Sequence, residues 1–197
     1  MTTESQKKFN DFLELITNPF ELFDELNSIR NWHIEGKNGR PKSDEIIKKL
    51  NNEGHCKILT LAKLALEQGE SAFDVMLLLN PIMHDLTLAP SDLISYWKVI
   101  HEKTRDDMAS GTQFEYLPEF LKKKSNLIEE LLDRLKKANE PFTASYMSEM
   151  RCILAEGDFD NQFADIMQMT KSKNQNEVIA GVNALARLKY SGTKKQL

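Results

Sequence analysis

Four histidines, His33, His55, His84 and His101, are the side chains in this sequence best suited to proton transfer or metal ligation near neutral pH. None stands four residues from another, the spacing that places two imidazoles on one helix face. Neither His-Glu-x-x-His nor Glu-x-x-His occurs, so single-zinc hydrolysis and carboxylate-bridged di-metal chemistry both lack their usual ligands. His84-Asp85 and His101-Glu102 are adjacent in the chain, but adjacent residues on a helix point in different directions and make no acid–base pair by themselves. Cys56 follows His55 at the start of a very apolar stretch, where a thiol is a small core residue rather than an activated nucleophile. Glu129, Glu130 and Asp133 alternate with Arg134, Lys136 and Lys137, the pattern of a solvated helix face. With no glycine-rich phosphate loop and no Cys-x-x-Cys, the sequence reads as non-enzymatic, with no catalytic residue, metal ligand or cofactor site to name.

Recognition is the remaining chemistry, and two basic stretches carry it. The first is Lys37-Asn38-Gly39-Arg40-Pro41-Lys42-Ser43. Gly39-Arg40-Pro41 resembles the core of an AT-hook and, with Lys42-Ser43, the basic arm before the helix-turn-helix of serine recombinases. That resemblance implies an arginine lying in the narrow minor groove, where the potential is most negative. Asn38 stands where an AT-hook has a second arginine. The second stretch is the C-terminal segment, where Lys171, Lys173, Arg187, Lys189, Lys194 and Lys195 face Glu177 alone. Lys37, Arg40, Lys42, Lys189, Lys194 and Lys195 are accordingly the candidate contacts to a nucleic acid or partner. An all-helical ribonuclease of the HEPN kind would show an arginine followed four to six residues later by a histidine, and no arginine here is so placed.

The elements that would hold these residues are helical. Residues 57–79 are the most apolar stretch, with Lys57, Thr60, Lys63 and Glu67 forming one polar stripe. Gly69 suits the left-handed conformation that ends a helix, and Ser71 with Asp74 three residues on predicts an N-cap. The segment 72–79 has only Asp74 to offer water, so it is covered by other helices and lacks the polar surface of a recognition helix. Before it, Phe9, Phe12, Leu13 and Ile16 mark one helix, and Asn18-Pro19 opens another running through Leu22, Phe23, Leu26 and Ile29 to about Trp32. Residues 35–43 are an exposed loop, followed by a short helix with Ile46, Ile47 and Leu50. After it, Asn80-Pro81 is a stop, 82–89 is ambiguous, and Pro90-Ser91-Asp92 starts a helix carrying Leu93, Tyr96, Trp97 and Ile100.

Residues 104–113 read as a polar, mobile gap, and Pro118 opens what reads as the longest amphipathic helix, ending at Asn139-Glu140-Pro141. Three more helices follow, the last with Asn174 as cap and Glu177 as its partner. The hairpins punctuated by Gly69 and Gly157 resemble each other as a degenerate repeat, without the tetratricopeptide or ankyrin consensus. The final helix is loosely similar to the second helix of a HEAT repeat. Trp32, Trp97 and Tyr146 fit core stripes, and whichever lies at a stripe edge can anchor a partner.

The expectation is therefore an all-α protein of about nine helices, stacked as antiparallel hairpins in an irregular bundle or short α-solenoid. A single domain over 1–190 with a basic, flexible tail at 191–197 is expected. Two cysteines without metal spacing and the absence of a signal core or membrane-length apolar run read as cytoplasmic. The formal net charge of −4 disfavours purely electrostatic nucleic-acid binding. A protein-protein interaction or adaptor module, partnered by another protein or by itself, is the leading reading. A DNA-associated regulator using 39–43 and the tail is the alternative.

Overall fold

A computed structural model describes residues 3–37, 41–106 and 108–194. Among them the protein is all-α, with eleven α-helices and no strand. The chain falls into two compact units, Met1–Tyr116 and Leu117–Leu197.

The first unit contains α1 (Thr3–Leu15), α2 (Pro19–Ile34), α3 (Ser43–Asn52), α4 (Ile58–Glu67), α5 (Ala72–Leu79) and α6 (Pro90–Thr104). Pro19 occupies the first turn of α2, where its missing N–H costs nothing. The apolar positions of α2 then fall inward, with Leu22, Phe23 and Leu26 fully buried. α4 packs against both α2 and α6, so the apolar stretch 57–79 does form the centre of this unit. Gly69 adopts φ +110°, and the Ser71 Oγ accepts from the Asp74 backbone N–H at 3.3 Å, as the sequence predicts. Such a cap contributes about 1 kcal/mol.

Two details differ from expectation. Leu64 is 39% exposed and joins the solvent stripe of α4, while Phe73 is 46% exposed and Asp74 half-buried. The short α5 is therefore turned so that Asp74, not Phe73, faces the α2 side of the unit, where it lines a groove with α2 residues.

The ambiguous segment resolves as a 3-10 turn, Asn80–Asp85, held by asparagines. Asn51 Nδ2 donates to the Thr87 carbonyl at 2.9 Å while its Oδ1 accepts from the Ile58 N–H. Asn52 both donates to the Asp85 carbonyl and accepts from the Thr87 N–H. These two residues end α3 and fix the start of α4 as well as turning the chain. The expected mobile gap is also structured where described: Met108–Phe114 is a 3-10 segment in which Gln113 is buried, and Asn80 Nδ2 donates to the Thr112 carbonyl. Within 104–113 the buried Thr104 hydroxyl donates to the Ile100 carbonyl and the buried Gln113 amide to the Ser110 carbonyl, while Arg105 and Asp106 are exposed. Beneath it the Trp97 indole N–H donates to the Tyr116 hydroxyl.

The second unit contains α7 (Leu117–Lys123), α8 (Ile128–Ala138), α9 (Pro141–Ala155), α10 (Phe159–Met169) and α11 (Gln175–Lys194). The long amphipathic helix is in fact two, α7 and α8, separated at Lys124 (φ −115°, ψ 37°) and the 3-10 turn Ser125–Leu127. Ser125 and Asn126 favour turn geometry over helix interior. The break lets Phe120 and Leu121 bury separately from Leu131, Leu132 and Leu135. Asn139 closes α8 at φ +50°, a left-handed residue of the type asparagine tolerates.

α9 is the central element, packed against α7, α8, α10 and α11, with Tyr146, Met147 and Met150 fully buried. Asn174 does cap α11, its Oδ1 accepting from the Glu177 and Asn176 N–H groups. Glu177 does not complete the box: it takes the Ser172 hydroxyl and pairs with Lys136. The helical C-terminal segment reaches Lys194, so residues 191–194 of the expected tail are helical. Gly157, unlike Gly69, is not at positive φ, so the two glycine hairpins turn differently.

Candidate functional site

Burying Leu22, Phe23, Leu26 and Ile29 leaves the opposite face of α2 to Glu21, Asp24, Glu25, Ser28, Asn31 and Glu35, spaced three or four apart. Two grooves run along this face and share Asp24. One, of about 510 Å³, is completed by Asn27 and Trp32 of α2 itself and by Glu70 and Asp74 from the α4–α5 turn and α5. The other, of about 570 Å³, is completed by Asp11, Phe12, Leu15, Ile29 and Pro41. Together their walls carry seven carboxylates, Asp11, Glu21, Asp24, Glu25, Glu35, Glu70 and Asp74, and among the described residues no lysine or arginine. This concentration exceeds the chain average. The first unit has 19 Asp and Glu against 13 Lys and Arg, a balance of −6, and the second has 11 against 13, a balance of +2.

Burial is the main force raising the Glu70 pKa above its ordinary value; Asp24 and Asp74 push it the same way, against a hydrogen bond from the Ser71 N–H. The folded chain thus holds this proton more tightly than the unfolded chain. Ionisation of Glu70 costs stability above its folded pKa, and that cost disappears as pH falls through the folded pKa towards the unfolded value near 4.5. A cationic ligand in the groove requires the ionised form. Its affinity is expected to begin falling on acidification at a pH above 4.5, and Glu70→Gln to remove that part of the profile, measured by titration between pH 4 and 8.

Trp32 supplies the aromatic surface. Trp97 and Tyr146 are fully enclosed, whereas Trp32 is half-buried in the groove wall and is the stripe-edge aromatic. The Lys37 ammonium lies 4.9 Å from its ring centroid and 2.5 Å from the Glu35 carboxylate. Trp32 and Glu35 therefore already hold one cation from within the chain.

The other sequence candidates fall on different elements. Lys42 is exposed at the residue preceding α3. Lys189 and Lys194 belong to α11 of the second unit, and Arg40 and Lys195 lie outside the described residues. Lys37 and Lys42 thus share the first unit, while the C-terminal lysines belong to the second. The apolar period of this helix does not single out its acidic face. The complementary period 21, 24, 25, 28, 31, 35 was equally legible, but the contributions of Glu70 and Asp74 were not.

The histidines do not converge on the grooves. His33 faces the Pro41 carbonyl, His55 pairs with Glu53 and packs edge-on against Phe9, His84 lies 3.3 Å from Asp85, and His101 is in α6, its pKa lowered chiefly by burial. None lines either groove. Burial pushes the Cys56 thiol up to about 11, and burial also raises Cys152. Among the described residues no three His, Cys, Asp or Glu side chains are arranged to hold a metal ion.

A third, smaller cavity of about 210 Å³ lies in the second unit. Its charges are already matched: Arg151 with Asp165 at 2.8 Å, Lys136 with Glu177 at 3.1 Å. That unit also exposes a stacked pair, Phe159 and Phe163, with ring centroids 5.6 Å apart.

The class defined by fold and surface is an all-helical protein with an acidic, tryptophan-edged double groove. No protein-family model, curated protein or solved structure matches this chain.

Proposed function

We propose that the protein is a non-enzymatic interaction module whose first unit docks a basic segment of a partner protein along α2. The observation that carries this reading is the pair of adjoining grooves sharing Asp24, lined by seven carboxylates and edged by Trp32. Asp24 and Asp74 repel the Glu70 carboxylate, and a lysine- or arginine-rich segment relieves that repulsion while covering the aromatic face. Small-molecule catalysis has less support, since the groove walls offer neither histidine nor thiol.

The DNA reading has less support too. Phosphates would approach a face rich in carboxylates, and Lys37 of the proposed arm is paired with Glu35. Among the described residues no helix is long and apolar enough to cross a membrane. Two free, half-buried cysteines favour a reducing, cytoplasmic setting.

Titration with a defined lysine- and arginine-rich peptide tests the proposal. Trp97 is fully buried, so a change in tryptophan emission on binding reports Trp32. The expected result is saturable binding that weakens steeply between 50 and about 300 mM salt as the exposed charges are screened. Absence of binding at low salt, or equal binding of an acidic peptide of the same length, overturns the reading.

A further inference from the structure

We infer that Trp32 and Glu35 form a subsite for one lysine or arginine side chain of the partner, and that Lys37 is an internal competitor which the partner displaces. The inference rests on the docking function proposed above and specifies its chemistry at one end of the groove.

The geometry is that of a cation acceptor. An ammonium over an indole face and within contact of a carboxylate gains from both, and the Lys37 Nζ has both: 4.9 Å to the Trp32 centroid and 2.5 Å to Glu35 Oε2. These two residues come from the last turn of α2 and the residue that caps it, so their positions are set by the helix. Lys37 comes from the connection that follows, and its side chain is 50% exposed. An exposed lysine held by two weak contacts is released at little cost, since exposed ion pairs and exposed cation–π contacts are each weak. Trp32 and Glu35 also line the groove shared with Glu70 and Asp74. A peptide running along that groove reaches Trp32 and Glu35 without rearrangement of the helices, and its cation takes the place that Lys37 holds against them.

Removal of an internal competitor should tighten binding. Lys37→Ala is expected to raise affinity for the basic peptide about fivefold. Lys42→Ala removes the same charge from an exposed residue before α3 and controls for general electrostatics; it is expected to change affinity less than twofold. Trp32→Leu in the Lys37→Ala background should abolish the gain, with the fold of each variant checked by helical circular dichroism.

Equal gains from Lys37→Ala and Lys42→Ala, or no gain from Lys37→Ala while the wild-type chain binds, would overturn the subsite and leave the docking function standing. If neither the wild-type chain nor Lys37→Ala binds the peptide, the docking function itself fails.

Discussion

Reversing two groove charges, Asp24→Lys together with Glu70→Lys, is expected to lower affinity for a basic peptide about 100-fold at low salt. Asp24 is the one carboxylate common to both grooves, and Glu70 is the one already disfavoured as an anion by burial. Each reversal removes an attraction and adds a repulsion, and about tenfold per site corresponds to roughly 1.4 kcal/mol. The loss should shrink as salt rises, because the peptide approaches from solvent and its charges are screened. The folded state is expected to tolerate the change. Asp24 is exposed and Glu70 half-buried, and each lies among like charges whose mutual repulsion the reversal reduces. Isothermal titration with parallel thermal melts separates the two effects. Unchanged affinity in a folded double variant would remove α2 as the docking face.

The second large effect concerns the other unit. Gly181→Ala is expected to destabilise the protein by about 2 kcal/mol, although alanine is the better helix former by about 1 kcal/mol. Gly181 lies within α11, and a Cβ there would meet the Thr170 backbone nitrogen at 2.9 Å and the Met169 and Thr170 side chains at 3.0 Å. A backbone atom cannot turn aside as a flexible side chain can, so α10 and α11 must separate where they pack. Asn183→Ala, two residues on and exposed, tests propensity alone and should stabilise by a few tenths of a kcal/mol. Urea unfolding of the two variants checks the opposite signs. Equal stabilisation by both would show that the helices do not approach closely at Gly181.

Much of the helical order was legible because it depends on local rules. Pro19 and Pro90 each begin a helix, Ser71 and Asn174 cap theirs, and Gly69 takes the left-handed turn. Such signals act within four or five residues, so a single sequence contains them whole. The break at Lys124 has no signature in the apolar period, which runs unbroken through Leu121, Ile128 and Leu135. The period does not reveal that two short faces bury better separately. Asn51 and Asn52 likewise read as turn residues, while their actual partners, Thr87 and Asp85, lie more than thirty residues away.

The candidate site divides along the same line. The sequence by itself determined an all-helical chain, the apolar centre at 57–79, and the outward carboxylates of α2, since helical period alone separates the two faces of one helix. It drew attention instead to the basic segment 37–43, because a charge run is conspicuous along the chain. Only the tertiary structure decided that Glu70 and Asp74 turn towards α2, that Trp32 rather than Trp97 stays at the edge of the core, and that Lys37 lies over its indole. Those facts depend on how separate helices rotate about their axes when their apolar faces are buried together, and no local spacing encodes that rotation.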